Sequence, residues 1–483
     1  MVFRRIQSFL QGPRRVYALF GLILIFAFIL SVSTLTTKPR IWTDEAISIE
    51  IAKSFGRDGV LDVSASPATY TGFPELLQST GYPVTVPLGI LFKMFGETFT
   101  LARLYMLLWT LLALYAVFCF SRAVSDPELA LFSTLLVATF ASFYGSGRTV
   151  VGEIPGFVLL LSALYFAFER RSFSLGGILL GFAIVAKPSV FLLVLPALFL
   201  VLLREPRALL FRVFKLSVGM LPAAFLWFAL VPDNALSKAF WLRLVDFYRN
   251  PYSSDIAVNI HTNLASFFSS TTLIYFSLLA VILLIARFWV RRKETSFIYD
   301  FTLIYSLIAF LYYLRSPGWL RYILIAELLI LTLVPHAVFT VLHFFQRRMN
   351  MFRNLPLATT SAVCLCVLVL IQGLHLFIAA DIYSSDTAIR VAKELDAEYG
   401  EKRVLVLGDS TLYSLLRNPK REMIVSMTGL PTVGKNSLLD SMPPDVVVTG
   451  KNVFRAGGEK VLSEMYRPPE KLYGYDLFKR IDH

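Results

Sequence analysis

The sequence predicts an all-α polytopic membrane protein with about eleven transmembrane helices and a small C-terminal extracytoplasmic α/β domain. Three observations predict it. Of 483 residues, 56% are hydrophobic and only 16% charged, with a mean hydropathy of +0.65; soluble domains carry roughly 45–50% apolar and about 25% charged residues. The apolar residues gather in eleven runs, near 16–35, 101–120, 129–145, 154–168, 175–187, 188–203, 213–232, 271–290, 299–314, 322–342 and 355–379. Several reach the ~20 residues of a spanning helix, and 175–203 reads as two short, broken spans. After Asp381 the apolar runs shorten and become β-branched. The expected domains are therefore 1–380 in the membrane and 381–483 outside it.

The net charge of +13 follows the loops. With Arg4, Arg5, Arg14 and Arg15 placed in the cytoplasm, the loops on that side carry a large excess of Lys and Arg, while the opposite loops and the tail are near balance. That is the positive-inside pattern. Nucleic-acid binding needs a clustered basic face with base-reading or stacking groups, and the sequence has none. Three Cys, two of them (Cys364, Cys366) in an apolar run, form no disulfide or metal pattern.

The first run, about 20 residues long, exceeds the usual 7–15 of a signal-peptide core and reads as an uncleaved helix. Loops 38–83 and 232–270, with the tail, then share the extracytoplasmic face, and the connections on the other face are short. Chemistry is expected on the bulky face. Tyr82 to Phe95 is apolar but too short to span comfortably, and reads as interfacial. In the tail, Asp386 to Tyr399 reads as a helix. Arg403 to Leu407, Met423 to Met427 and Val446 to Thr449 read as buried strands, with Leu472 to Lys479 as a last strand.

Charged residues mark the outer level. Asp44 and Glu45 follow the first span, and two adjacent carboxylates can divide labour, one as general base and the other orienting. The bland alternative is an acidic pair at a helix start, with Asp44 as N-cap. Arg103, Arg148, Glu153, Lys187 and Arg321 fall at the same level, Arg321 beside Tyr322. Each alone could be a snorkelling charge. Together, four cations near a carboxylate pair suit a phosphate, which guanidinium groups grip bidentately.

These residues sit in motifs that resemble the polyprenyl-phosphate-sugar-dependent glycosyltransferases of the GT-C membrane fold, closest to the protein O-mannosyltransferase and aminoarabinose transferase branch. The motifs are Asp44-Glu45-Ala46, Leu91 to Leu104, Gly147 to Arg171, Gly176 to Ser189 and Leu320 to Leu331. The resemblance covers roughly 16–342. It implies an inverting transfer of sugar from a polyprenyl-phosphate donor to an acceptor hydroxyl, with Asp44 as base and Glu45 beside it. Arg148, Lys187, Arg321 and Arg103 would grip the leaving phosphate. Glu153, Tyr82, Tyr322 and His261 would position substrate. The acceptor would be a glycan, a lipid or a protein hydroxyl. No metal is required by a monophosphate leaving group, though a divalent cation at the acidic pair stays open. Relatives often carry His or Lys before a Pro-Pro pair where this chain reads Gly81-Tyr82-Pro83-Val84. Lys93, Arg243, Arg249 or His261 are the candidate substitutes.

His261, Trp241, Tyr252 and Asp255 in the second outer loop read first as ordinary loop residues. Gly429 to Ser437 nearly matches a phosphate-binding loop, but Asn436 stands where Ser or Thr would hold Mg²⁺. Leu407 to Thr411 resembles an esterase Gly-Asp-Ser block, yet Asp482-His483 is a poor partner and a strand-end turn is the better account. The alternative function is a transporter or lipid flippase, whose charges would lie near the midplane with internal repeats; only Glu327 looks deep. A scaffold with a partner-binding tail leaves the charge cluster unexplained. The absence of an Asn-x-Ser/Thr sequon favours a prokaryotic plasma (inner) membrane, N-terminus cytoplasmic and tail outside.

Overall fold

The computed structural model describes residues 13–66, 69–72, 80–230, 237–249, 255–290, 293–348, 357–382, 385–424, 443–450, 462 and 466–481. Each of the eleven apolar runs is mostly helical over its described residues. Among the described residues, six helices are long and apolar enough to cross a membrane: Arg14–Val32, Phe99–Val124, Pro206–Leu230, Lys293–Leu314, Leu324–Arg348 and Leu357–Ile378. Two bent pairs bring that number to eight if each is one span. Pro127–Ala138 and Ala141–Gly147 meet at 69°, Ile256–Ser269 and Thr271–Arg287 at 80°. The run 175–203 is broken as expected, into Phe173–Ala186, Pro188–Phe191 and Val194–Leu202. Pro188, which cannot donate an amide, opens the second piece. The run 154–168 is the helix Glu153–Leu164, continued by a π-turn over Tyr165–Glu169.

The chain divides into two compact units. The first comprises Met1–Leu35, Gln78–Val84 and Leu104–Ile382, the second Thr36–Leu77, Thr85–Arg103 and Tyr383–His483. The unit that holds the C-terminal segment thus also takes up most of the first outer loop and residues 85–103, where the sequence placed a single boundary at 380.

In the first unit, a continuous core of buried side chains runs from Ile23 and Ala27 through Leu324–Val334 to Leu365 and Leu376. Leu324–Arg348 is its central helix, and of its first fifteen residues, up to Val338, all but His336 are buried. Three turns that the charge pattern put on one face are joined there by ions. Arg171 pairs with Glu294 at 2.8 Å, Arg212 and Lys293 both pair with Glu205, and Arg204 and Arg287 both pair with Asp300. The basic excess of that face is partly neutralised within the fold.

In the second unit, Thr43–Asp58 is an amphipathic helix, followed by a short antiparallel pair, β1 (Ser64–Ser66) and β2 (Thr69–Tyr70). The C-terminal segment opens with the helix Thr387–Tyr399. Its sheet runs β4-β3-β5-β7-β6, from β3 (Val404–Leu407), β4 (Arg421–Ile424), β5 (Val446–Thr449), β6 (Glu470–Leu472) and β7 (Tyr475–Lys479). β4 and β5 pair in parallel with β3, and β7 is antiparallel to β5. β3 and β5 are buried along their whole length, as continuous apolar runs in a parallel sheet must be.

One expected strand is two. Leu472 to Lys479 is a hairpin whose turn is Tyr473-Gly474, with φ of 48° and 90°. A two-residue hairpin loop of this kind needs positive φ at both positions. Gly474 meets that need without strain, while a non-glycine residue such as Tyr473 costs roughly 1–2 kcal/mol. Of the expected strand Met423 to Met427, β4 covers the start and residues 425–427 lie outside the described residues. So do the phosphate-loop-like Gly429 to Ser437 and the Asp482-His483 pair.

Candidate active site

The candidate residues fall in both units: Asp44, Glu45 and Arg103 in the second, the others in the first.

Asp44 lies in the first turn of Thr43–Asp58, whose N-cap is Trp42, in extended backbone and without a side-chain cap bond. Asp44 is therefore inside the helix, one position too late for the N-cap role. Its backbone carbonyl accepts from Ser48 Oγ at 2.8 Å, and its side chain is half-buried. Glu45, the next residue, is completely buried. It meets Arg103 in a two-point ion pair, Nε to Oε1 at 2.5 Å and Nη2 to Oε2 at 2.6 Å. Arg103 also donates to the carbonyl of Pro39 at 3.1 Å and lies over the Phe99 ring. Both side chains of the pair are 0% exposed. Two adjacent carboxylates thus have different surroundings: Glu45 is committed to a buried arginine, and Asp44 is the one in contact with the surface.

In the first unit three segments converge. The Gly81 amide donates to the Ala186 carbonyl at 3.1 Å. Gly152 packs on the same carbonyl so closely that a Cβ there would lie 1.8 Å from its oxygen. This apposition sets Glu153, at the start of its helix, against Lys187, at the break between two helices. Lys187 Nζ lies 3.8 Å from Glu153 Oε1, both side chains being almost fully buried. Glu153 Oε2 has no hydrogen-bond partner. Arg148 ends the short helix Ala141–Gly147, donates to Thr34 Oγ1 at 2.7 Å and lies over the Tyr144 ring.

Arg321 is on the 3₁₀ turn Leu320–Tyr322, its guanidinium 4.6 Å from the Trp319 ring centroid and 5.4 Å from that of Tyr322. Tyr82 is buried; its hydroxyl donates to the Ala223 carbonyl at 3.0 Å and its ring packs edge-on against Phe182. Its visible work is to seat the start of Tyr82–Phe95. His261 is exposed on the helix Ile256–Ser266. In the same motif it is Asn263 that is buried, donating to the carbonyls of Tyr313, Leu314 and Ser316 and so fixing the loop that leads to Arg321. Asp255 is the cap of that helix, accepting from Ala257 and Val258; Tyr252 lies outside the described residues.

The sequence reading missed a buried network in the second unit. Glu50 pairs with Lys53 at 2.8 Å and with Arg421 at 3.2 Å, and Lys53 also donates to the Ser414 carbonyl. Burial, the largest single influence on Glu50, pushes its pKa up. The cations Lys53 and Arg421 outweigh it and hold the carboxyl below the 4.5 of an ordinary glutamate. The spacing of Glu50 and Lys53 inside an isoleucine-rich stretch was the available signal; nothing local points to Arg421. The Gly408-Asp409-Ser410 block is a strand-end turn. Gly408 has φ 67°, Asp409 caps the helix Ser410–Leu415 through the Leu412 amide, and Ser410 is buried. Among the described residues, no three His, Cys, Asp or Glu side chains gather as metal ligands do.

Residues 86–232 match the family model described as dolichyl-phosphate-mannose-protein mannosyltransferase. No curated protein sequence matches the chain. Among solved structures, the chain is similar to ArnT from Cupriavidus metallidurans bound to undecaprenyl phosphate, with TM-score 0.66 and 14% identity over 97% of this chain and 99% of that one. The apo state of the same protein gives 0.64 and 14%, over 95% and 97%. The Archaeoglobus fulgidus oligosaccharyltransferase tethered with an acceptor peptide gives 0.54 and 13%, over 98% of this chain and 75% of that one. At such identity the likeness is one of fold, and it runs through both units: the chain has the GT-C fold that its motifs resemble.

Proposed function

We propose that this GT-C chain is an inverting glycosyltransferase that moves a sugar, hexose or pentose, from a polyprenyl-phosphate donor to an acceptor hydroxyl. The single observation that carries the reading is the whole-length fold likeness to a protein whose structure holds undecaprenyl phosphate. The residues supply the chemistry. Asp44 accepts the proton of the acceptor hydroxyl as its oxygen bonds to the anomeric carbon. The bond from that carbon to the phosphate oxygen breaks, and the polyprenyl phosphate leaves with the electron pair. A general base of this kind contributes roughly 10²–10⁴-fold. Lys187, Arg148 and Arg321 stabilise the departing phosphate as fixed charges. Glu45 and Arg103 act as positioning residues, since their pair is closed, and Glu153 holds Lys187. The reaction face is extracytoplasmic, in a prokaryotic inner membrane, with the N-terminus in the cytoplasm and the tail outside.

The test uses the full chain in nanodiscs with undecaprenyl-phosphate-linked radiolabelled sugars. Release of undecaprenyl phosphate with label transferred to acceptor is the expected result, and Asp44→Asn lowers it at least a hundredfold with unchanged thermal stability. A wild-type protein that consumes none of the donors, or an Asp44→Asn variant at full rate, overturns the reading.

A further inference from the structure

A cavity of about 490 Å³ lies within the second unit, inside the size range of small-molecule sites. Its place in the sheet is the one where open α/β sheets bind ligands. β3 is flanked by β4 on one side and β5 on the other, so the chain reverses direction there. Gly408 and Asp409, just after β3, and Gly450, just after β5, line the cavity. That is the crevice beyond the carboxyl ends of the strands at a topological switch point.

The remaining walls come from the turn Tyr473-Gly474-Tyr475, the start of the helix Thr387–Tyr399, and residues Arg40 to Thr43. Thr43 and Asp44 are successive residues of one helical turn. The cavity wall therefore ends one residue short of the proposed base.

The chemistry of the lining points to an occupant. Of the described residues lining it, only Arg40 and Asp409 carry charge, and they are of opposite sign. Such a wall does not suit a phosphate. It offers the rings of Trp42, Tyr473 and Tyr475 with the hydroxyls of Thr387 and its neighbours. Tyr475 donates to Asp409 at 2.8 Å, which leaves the other carboxylate oxygen holding the Leu412 amide. Aromatic rings with polar tips bind surfaces that are apolar on their faces and hydroxylated at their rims, as sugar rings are. Tyr473 is also the residue held at φ 48° with its side chain half exposed. A bulky residue in a conformation that Gly or Asn adopts more cheaply is the kind of outlier that accompanies function.

We infer that this cavity is the acceptor subsite: it takes an uncharged saccharide and presents one of its hydroxyls to Asp44. The inference rests on the proposed glycosyl transfer and names its acceptor class. The test uses the full chain in nanodiscs, with methyl hexosides, neutral disaccharides and a Ser/Thr-containing peptide as acceptor probes. A disaccharide is expected to slow amide exchange at 40–43, 408–411 and 473–475 in the absence of donor. With undecaprenyl-phosphate-linked sugar present, Tyr473→Ala and Thr387→Trp raise KM for the saccharide at least tenfold, with kcat changed less than threefold. Transfer to the peptide alone, unaffected by either substitution, overturns the inference and leaves the glycosyltransferase reading standing. Donor turnover with no exchange protection and an unaltered KM does the same. Absence of donor turnover in the wild type removes both, and is told apart by that.

Discussion

Two buried pairs of the same charge types, Glu45–Arg103 and Glu153–Lys187, make an instructive contrast. The first is tight: Nε lies 2.5 Å from one carboxylate oxygen, Nη2 donates to the other at 2.6 Å and to a backbone carbonyl at 3.1 Å, and both side chains are fully buried, although Arg103 Nε and Nη1 have no hydrogen-bond partner. The second is loose, at 3.8 Å, with one carboxylate oxygen lacking a hydrogen-bond partner. A cation that has satisfied its field inside the fold contributes rigidity. Lys187 lies farther from Glu153 than Arg103 does from Glu45. Charge at the outer level of the sequence is thus of two kinds, and geometry separates them.

The largest effect is expected where the closed pair is broken from one side. Arg103→Met leaves Glu45 buried without a cation, which costs about 3–5 kcal/mol. Thermal unfolding of the purified protein should show it, and the double variant Arg103→Met with Glu45→Leu should recover most of the loss. A single variant as stable as the wild type would break the contrast.

A smaller stability change and a larger kinetic one are expected at the loose pair. The double variant Lys187→Gln with Glu153→Gln removes both charges, so that neither is left unpaired. Its unfolding temperature should stay near that of the wild type while sugar transfer slows roughly 10²–10³-fold, the usual cost of one transition-state donor. Unaltered transfer would put Lys187 in the same structural class as Arg103.

The smallest effect sharpens the comparison with a third buried network. Glu50 has its pKa depressed on folding, so its contribution is present above the ordinary glutamate value of 4.5 and is lost as pH falls below it through the folded value. Amide exchange in Thr43–Asp58 and β4 should accelerate as pH is lowered below about 4.5, after correction for intrinsic exchange. Arg421→Met should move the onset to higher pH, because it removes one of the two cations that hold the carboxyl down. An onset unmoved by that substitution would argue that Lys53 alone sets it.

Much of this architecture was legible in the chain. The apolar runs are mostly helical over their described residues because an apolar segment in lipid has few other ways to satisfy its backbone. The break at Lys187-Pro188 was legible because proline lacks the amide that a continuous helix needs. The strands at Val404–Leu407 and Val446–Thr449 were legible as short β-branched runs. What was not legible was pairing across long separations. That Glu45 would take Arg103, or Glu50 take Arg421, has no signature in spacing, since sequence records a charge and not its neighbour. The last strand was misjudged for a local reason: Tyr473-Gly474 is a turn only because the tyrosine accepts a backbone conformation that its side chain disfavours.

The sequence by itself determined which segments are apolar enough to leave water, where helices must break, and which residues carry charge at their ends. Hydrophobic transfer and backbone hydrogen bonding act locally, so composition and period suffice to state them. Only the tertiary structure decided which of those charges meet which, and at what distance. It also decided that a loop before the first outer helix shares a cavity wall with the C-terminal sheet. Electrostatic energy depends on distance and burial between residues far apart in the chain, and those exist only once the chain has folded.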